Sequence, residues 1–182
     1  MTLIKKIIKQ IVPPIFMTLL TRKWWSFYTR RTLPDRHLYQ PLFSPWTGLP
    51  EFKKRYDEIR SLTLISPGRC WILYTLAKQS RAVPGDFFEI GVFRGGSALL
   101  FRRVLEASKT TDKGLHIFDT FEGMPETNKK KDFHKKDDFK DTSLERVQVN
   151  VGDAPFLHFH KGFVPDTFAG LENARIAFAH VD

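Results

Sequence analysis

A single cysteine, Cys70, rules out an internal disulfide and any zinc site built from several thiolates. It lies in an apolar helical stretch and reads as a core residue, and such sparse cysteine usage fits a reducing, cytoplasmic setting. Long apolar runs are also missing. The longest candidate, "IIKQIVPPIFMTLL", is interrupted by Lys9 and broken by Pro13 and Pro14, short of the roughly 20 residues a spanning helix needs. No small-residue cleavage signal follows it. No internal repeat is visible. The dinucleotide fingerprint G-x-G-x-x-G is absent too.

Acidic residues are missing from the first 31 positions. Lys5, Lys6, Lys9, Arg22, Lys23, Arg30 and Arg31 supply seven of the nine net positive charges. The rest of the chain is therefore close to neutral. A nucleic-acid enzyme concentrates its basic face on the folded domain, so no nucleic-acid partner is expected. Basic residues, an apolar stripe and "KWWSFY" suit peripheral contact of residues 1–31 with the inner membrane face. The alternative is a helix packed on the domain or on a second subunit of a homo-oligomer. Residues 1–49 read as an extension and linker, with a proline-rich loop over 32–50. Residues 50–182 read as the N-terminal portion of a catalytic domain.

That domain begins with two helices, "PEFKKRYDEIR" and "SPGRCWILYTLAKQS", the second capped by Ser66 with Pro67 in its first turn. Strands and helices then alternate. "DFFEIG", "GLHIFD", "FLHFHKG" and "ARIAFAHVD" are strands; "GSALLFRRVLEAS" and "TSLERVQVNV" are helices, and "PDTFAGL" is a helical turn. The order predicts an α/β fold with a parallel sheet covered on both faces. "IAFAHV" is apolar enough for a doubly buried central strand. The last strand stops at Asp182 without a following neighbour, so the sheet is expected to be incomplete after its fourth strand and the chain to be a truncated piece of a longer enzyme.

The chemistry gathers at "GDFFEIGVFRGGSALL". Ligands of open parallel sheets bind beyond the carboxyl ends of the strands. Glu89 stands near such an end. Gly91 and Gly95 allow close backbone approach, and Gly96-Ser97 open a helix whose free N–H groups can hold an anion. E-x-G-x-x-x-G suits S-adenosylmethionine, whose methionine end carries a carboxylate and an ammonium instead of a pyrophosphate. A tight turn without a ligand is the alternative. Asp119 ends the second strand, where an acid can accept hydrogen bonds from both ribose hydroxyls or simply cap the following turn.

"GDFFEIGVFRGGSALL", "FDTFEGMP", "TSLERVQVNV", "FHKGFVPDTF" and "ARIAFAHVD" in this order and spacing resemble the macrocin O-methyltransferase (TylF/MycF-type) family. The resemblance covers roughly residues 50–182. It implies a Rossmann-like class I methyltransferase fold and magnesium-assisted methyl transfer from S-adenosylmethionine to a sugar hydroxyl of a surface glycan, a lipid-linked precursor or a glycosylated natural product. It implies that Glu89, Gly91 and Ser97 meet the methionine end, that Asp119 meets the ribose with Thr120 and Phe121 beside it, and that Asp182 is the first metal ligand. The catalytic base is expected beyond residue 182.

His180 shares a strand face with Asp182, and His158 with His160. Each reads as a hydrogen-bonded or packing residue, with His180 a secondary candidate for catalysis and the other two for a metal. "NKKKDFHKKDDFKD" reads as a solvated loop leaving from the ligand end of the sheet, placed to close over an acceptor, with Asp137 and Asp138 in surface ion pairs. Two rival functions stand beside this reading. One is an NAD-binding Rossmann protein, which the missing first glycine and the long gap from Gly91 to Asp119 oppose. The other is a truncated module that binds cofactor without catalysis.

Overall fold

The computed structural model describes residues 45–108, 112–124, 135 and 138–182. Residues 1–31 and most of the charged loop before Asp138, Asp137 included, lie outside the described residues, and so do the expectations placed on them. The described unit runs from Pro45 to Asp182. A short helix, α1 (Pro45–Gly48), stands where the sequence reads as loop. Trp46 explains the difference: its ring packs on the core beside Gly68, where an added Cβ would lie 3.4 Å from the indole.

Two helices follow as expected, α2 (Pro50–Ile59) and α3 (Pro67–Ser80). Ser66 caps α3, its hydroxyl accepting from Arg69 N. Phe52, Trp71 and Tyr74 join them in an aromatic cluster. Strand β1 (Asp86–Ile90) then leads into α4 (Gly96–Ala107), and β2 (Leu115–Asp119), α5 (Leu144–Val151), β3 (Leu157–Lys161) and β4 (Ile176–Val181) complete the alternation. Ser143 caps α5 by accepting from Arg146 N. A 3-10 turn, Asp166–Phe168, precedes β4.

All four strands are parallel, in the order β3-β2-β1-β4. The alternation of side chains divides the sheet into two faces. Phe87, Leu115 and Ile117 point to the helices and form one core with Ala98, Phe101 and Val104 of α4. Phe88 and Phe118 point the other way and pack with Phe168 of the 3-10 turn. Two-sided helical cover was the sequence reading. Among the described residues, the helices share their core with one face only.

The expectation of a sheet left incomplete after its fourth strand holds at β4. The strand lies at a sheet edge, paired with β1 alone among the described strands, and it leaves Ile176 and Val181 exposed. The double burial that its apolar run signals is therefore incomplete. No helix among the described residues is long and apolar enough to cross a membrane.

Candidate cofactor cleft

A cavity of about 620 Å³ opens at the carboxyl ends of β1, β2 and β4. Gly91, Ser97, Asp119, Thr120 and Asp182 line it; Glu89, Gly95 and Phe121 do not. The sequence-derived set thus splits into a wall and a layer of support behind it.

Glu89 is the largest departure. It is completely buried, and both its oxygens are taken: Ser97 donates its hydroxyl to one, and His180 Nδ1 lies 3.0 Å from the other. Burial pushes the Glu89 carboxyl up, against the pull of the His180 and Ser97 contacts. Burial draws His180 down, but the hydrogen bond and charge of Glu89, with the charge of Asp182, outweigh it and leave the imidazole raised. The contact itself is a buried hydrogen bond at 3.0 Å. Glu89 therefore braces the turn from beneath instead of presenting a free carboxylate to the cleft. His180 is the hydrogen-bonded core residue of the two readings offered for it.

The glycines also answer to the protein's own atoms. Gly91 has φ 83, and a Cβ there would come within 2.9 Å of the Asp182 carbonyl. Gly95, the N-cap of α4, has φ 87, and its Cβ would meet Val151 at 2.8 Å. At Gly96 the obstacle is Thr63, at 2.7 Å. The glycine-rich turn is thus a junction where α5, β4 and the loop before α3 all press close, which alone requires missing side chains.

Asp119 is held in place by the same turn. Its Oδ2 accepts from Val92 N at 2.6 Å and Phe93 N at 3.3 Å, and its Oδ1 from Phe121 N at 2.8 Å. A second clamp acts from above. The Thr142 hydroxyl donates to the Phe93 carbonyl at 2.6 Å, Asn150 Nδ2 donates to the Arg94 carbonyl at 2.9 Å, and Arg94 pairs with Asp141. Phe139 meets Phe93 edge to face.

Sequence reasoning missed the outer wall: Thr63 and Leu64 before α3, Arg69 in its first turn, and Phe163 and Val164 after β3. Leu64, Phe163 and Val164 are exposed apolar side chains at this one opening. No local pattern marks them, because the loops that carry them meet only through the fold.

Asp182 lines the cleft, yet among the described residues no group of three or more His, Cys, Asp or Glu side chains is placed to hold a metal ion. A lone aspartate does not make a magnesium site. His158 and His160 form no such site either; His160 Nε2 lies 3.0 Å from His116 Nδ1, a direct hydrogen bond between rings.

A parallel sheet with a cleft at its carboxyl ends, entered by a glycine turn after β1 and an acid after β2, is the arrangement of a class I methyltransferase. Solved structures agree. The O-methyltransferase NovP matches with a TM-score of 0.57 at 25% identity, over 66% of this chain and 55% of that one. The calicheamicin methyltransferase CalS11 matches in fold, with a TM-score of 0.53 at 16% identity, over 79% of this chain and 73% of its own. Residues 72–182 match the model of the macrocin-O-methyltransferase (TylF) family, and the chain belongs to that family.

Among its curated relatives is the 8-demethyl-8-(2,3-dimethoxy-alpha-L-rhamnosyl)-tetracenomycin-C 4'-O-methyltransferase of Streptomyces olivaceus, 33% identical over 55% of this chain and 42% of that protein. The mycinamicin III 3''-O-methyltransferase of Micromonospora griseorubida is 30% identical over 55% of this chain and 44% of its own. The chain spans less than half the length of these relatives.

Proposed function

We propose that this chain carries the cofactor half of an S-adenosylmethionine-dependent O-methyltransferase acting on a sugar hydroxyl. The observation that carries the reading is the cleft itself, where Gly91, Asp119 and Asp182 come together from the ends of three adjacent strands. Its volume is in the range of small-molecule sites, about 300–1,000 Å³. The relatives named above are O-methyltransferases of glycosylated natural products, which favours a glycosylated acceptor here.

The cofactor, when bound, supplies a methyl group already activated on a sulfonium, so the protein's task is alignment. In this reading Asp119 and Thr120 face the ribose, while Ser97 and the first turn of α4 face the methionine end. Glu89 does not reach the ammonium; it fixes Ser97 from behind. Leu64, Phe163 and Val164 offer an apolar rim to whatever the sugar is attached to. Magnesium assistance calls for oxygen ligands beyond the one that Asp182 supplies.

Titration calorimetry with S-adenosylhomocysteine and with NAD tests the cofactor. Binding of the first and not the second is expected; the reverse returns the nucleotide-binding rival. A methyl-transfer assay on a glycosylated acceptor, with and without magnesium, separates an active enzyme from a binding module.

A further inference from the structure

Asp119 stands at the end of β2 with three backbone amides on its carboxylate. Val92 N and Phe93 N reach Oδ2 and Phe121 N reaches Oδ1, while the Thr120 hydroxyl, 3.4 Å from Oδ1, lies closer to the Gly123 carbonyl at 3.1 Å. An ionised carboxylate offers about four lone-pair sites, so the three amides fill most of the set and leave one for a ligand. The donors belong to two different turns, one after β1 and one after β2.

Each turn contains a phenylalanine in the left-handed region, Phe93 at φ 50 and Phe121 at φ 57. Residues with a β-carbon avoid this conformation unless their surroundings impose it. The two strained residues are 28 positions apart, yet both direct their amide to Asp119. Gly91 N, at the head of the first turn, is tied to Phe118 O at 3.0 Å, so the two turns leave the sheet side by side.

We propose that Asp119 is a positioning residue: one carboxylate holds both turns of the cleft in their left-handed bends, independently of the cofactor. Its charge matters because N–H groups converging on an anion form stronger hydrogen bonds than those to a neutral acceptor. Asparagine keeps one acceptor oxygen and turns an N–H₂ toward the remaining amides. Only the binding readout rests on the cofactor reading given above.

The first test needs no ligand. In unliganded Asp119→Asn, hydrogen exchange at Val92, Phe93 and Phe121 is expected to accelerate by about tenfold or more, while Ile117 within β2 stays protected. Unchanged exchange at those three amides in a folded variant overturns the proposal.

The second test is a cycle with Phe93→Gly, since glycine enters the left-handed region without strain. Asp119→Asn is expected to weaken S-adenosylhomocysteine binding about tenfold in the parent and about threefold or less in the Phe93→Gly background. Equal losses in both backgrounds mean that Asp119 acts through the ligand alone and not through the two turns, and overturn the proposal. If Asp119→Asn alone does not fold, folding of the double variant supports it, and failure of both overturns it. A parent that binds no S-adenosylhomocysteine refutes the cofactor reading and leaves the exchange test decisive for the positioning role.

Discussion

Glu89 Oε2 lies 3.0 Å from His180 Nδ1, and the two residues are register partners across the β1–β4 ladder. The acid is completely buried and the imidazole nearly so, with the Ser97 hydroxyl closing the arrangement on the helix side. Three elements are therefore tied at one point directly beneath the cleft: β1, β4 and the first turn of α4.

Removing one member of this pair leaves the other buried without its partner. Replacing His180 by alanine is expected to cost about 3–5 kcal/mol, the range for breaking a buried ion pair from one side. His180→Gln keeps a hydrogen-bond donor and should recover part of the loss. Urea denaturation of both variants measures it. A His180→Ala loss below about 1 kcal/mol would show that Glu89 is satisfied by Ser97 alone.

The glycine turn gives a second prediction. Gly95→Ala puts a β-carbon on a left-handed residue and drives it toward Val151, so α5 must yield. The left-handed conformation alone costs roughly 1–2 kcal/mol, before any displacement of the helix. Val151→Ala in the same chain opens the space but leaves the dihedral, so it should rescue only part of the lost stability. Full rescue would mean that the close contact, not the backbone, makes glycine necessary.

This turn also shows how far the sequence could be read. The positions of Gly91, Gly95, Glu89 and Asp119 were legible as a strand-to-helix junction, since composition and periodicity are local properties. Their causes were not. The spacing suggested that glycines make room for a ligand and that Glu89 faces it; the space at Gly95 is instead filled by Val151, 56 residues further on, and Glu89 is taken by His180. Phe93 carried no signal, and Phe121 was placed beside the ribose only by resemblance, because nothing about phenylalanine announces a positive φ. What the sequence hid in each case is a contact between residues distant along the chain.

The clamp above the turn separates a strong contact from a weak one. Thr142 is buried and donates to the Phe93 carbonyl at 2.6 Å, whereas the Arg94–Asp141 pair is exposed. Thr142→Val keeps the shape and leaves that carbonyl without its donor, at an expected cost of about 1–3 kcal/mol. Asp141→Asn is expected to change stability little, and less still at high salt. Thermal melts of the two variants at low and high ionic strength check the ranking, and a larger effect at Asp141 would reverse it.

Stability should also fall on mild acidification, for a reason that lies on the far face of the sheet. His160 Nε2 meets His116 Nδ1 at 3.0 Å, His116 Nε2 lies 3.5 Å from Asp86, and the His158 ring stands 4.8 Å from that of His116. Phe88 and Phe118 pack against the same rings. Burial, then the His158 charge, lowers His116 against the opposing pull of Asp86; burial, then His116 and His158, lowers His160. In the unfolded chain each imidazole takes its proton near pH 6.5. Below that pH these two rings bind more protons in the unfolded state than in the folded one, so the stability they contribute is complete above it and declines as pH falls toward the lowered folded values, opposite in sense to the raised Glu89 and His180. One added proton can sit on the outer nitrogen of His160 while its Nε2–H still donates to His116. A second, on His116, sets donor against donor. Denaturation midpoints measured between pH 7.5 and 5.5 should therefore shift downward more in the parent chain than in His160→Gln, which removes one titrating ring and the conflict with it. Equal slopes in the two proteins would assign the acid sensitivity to other groups.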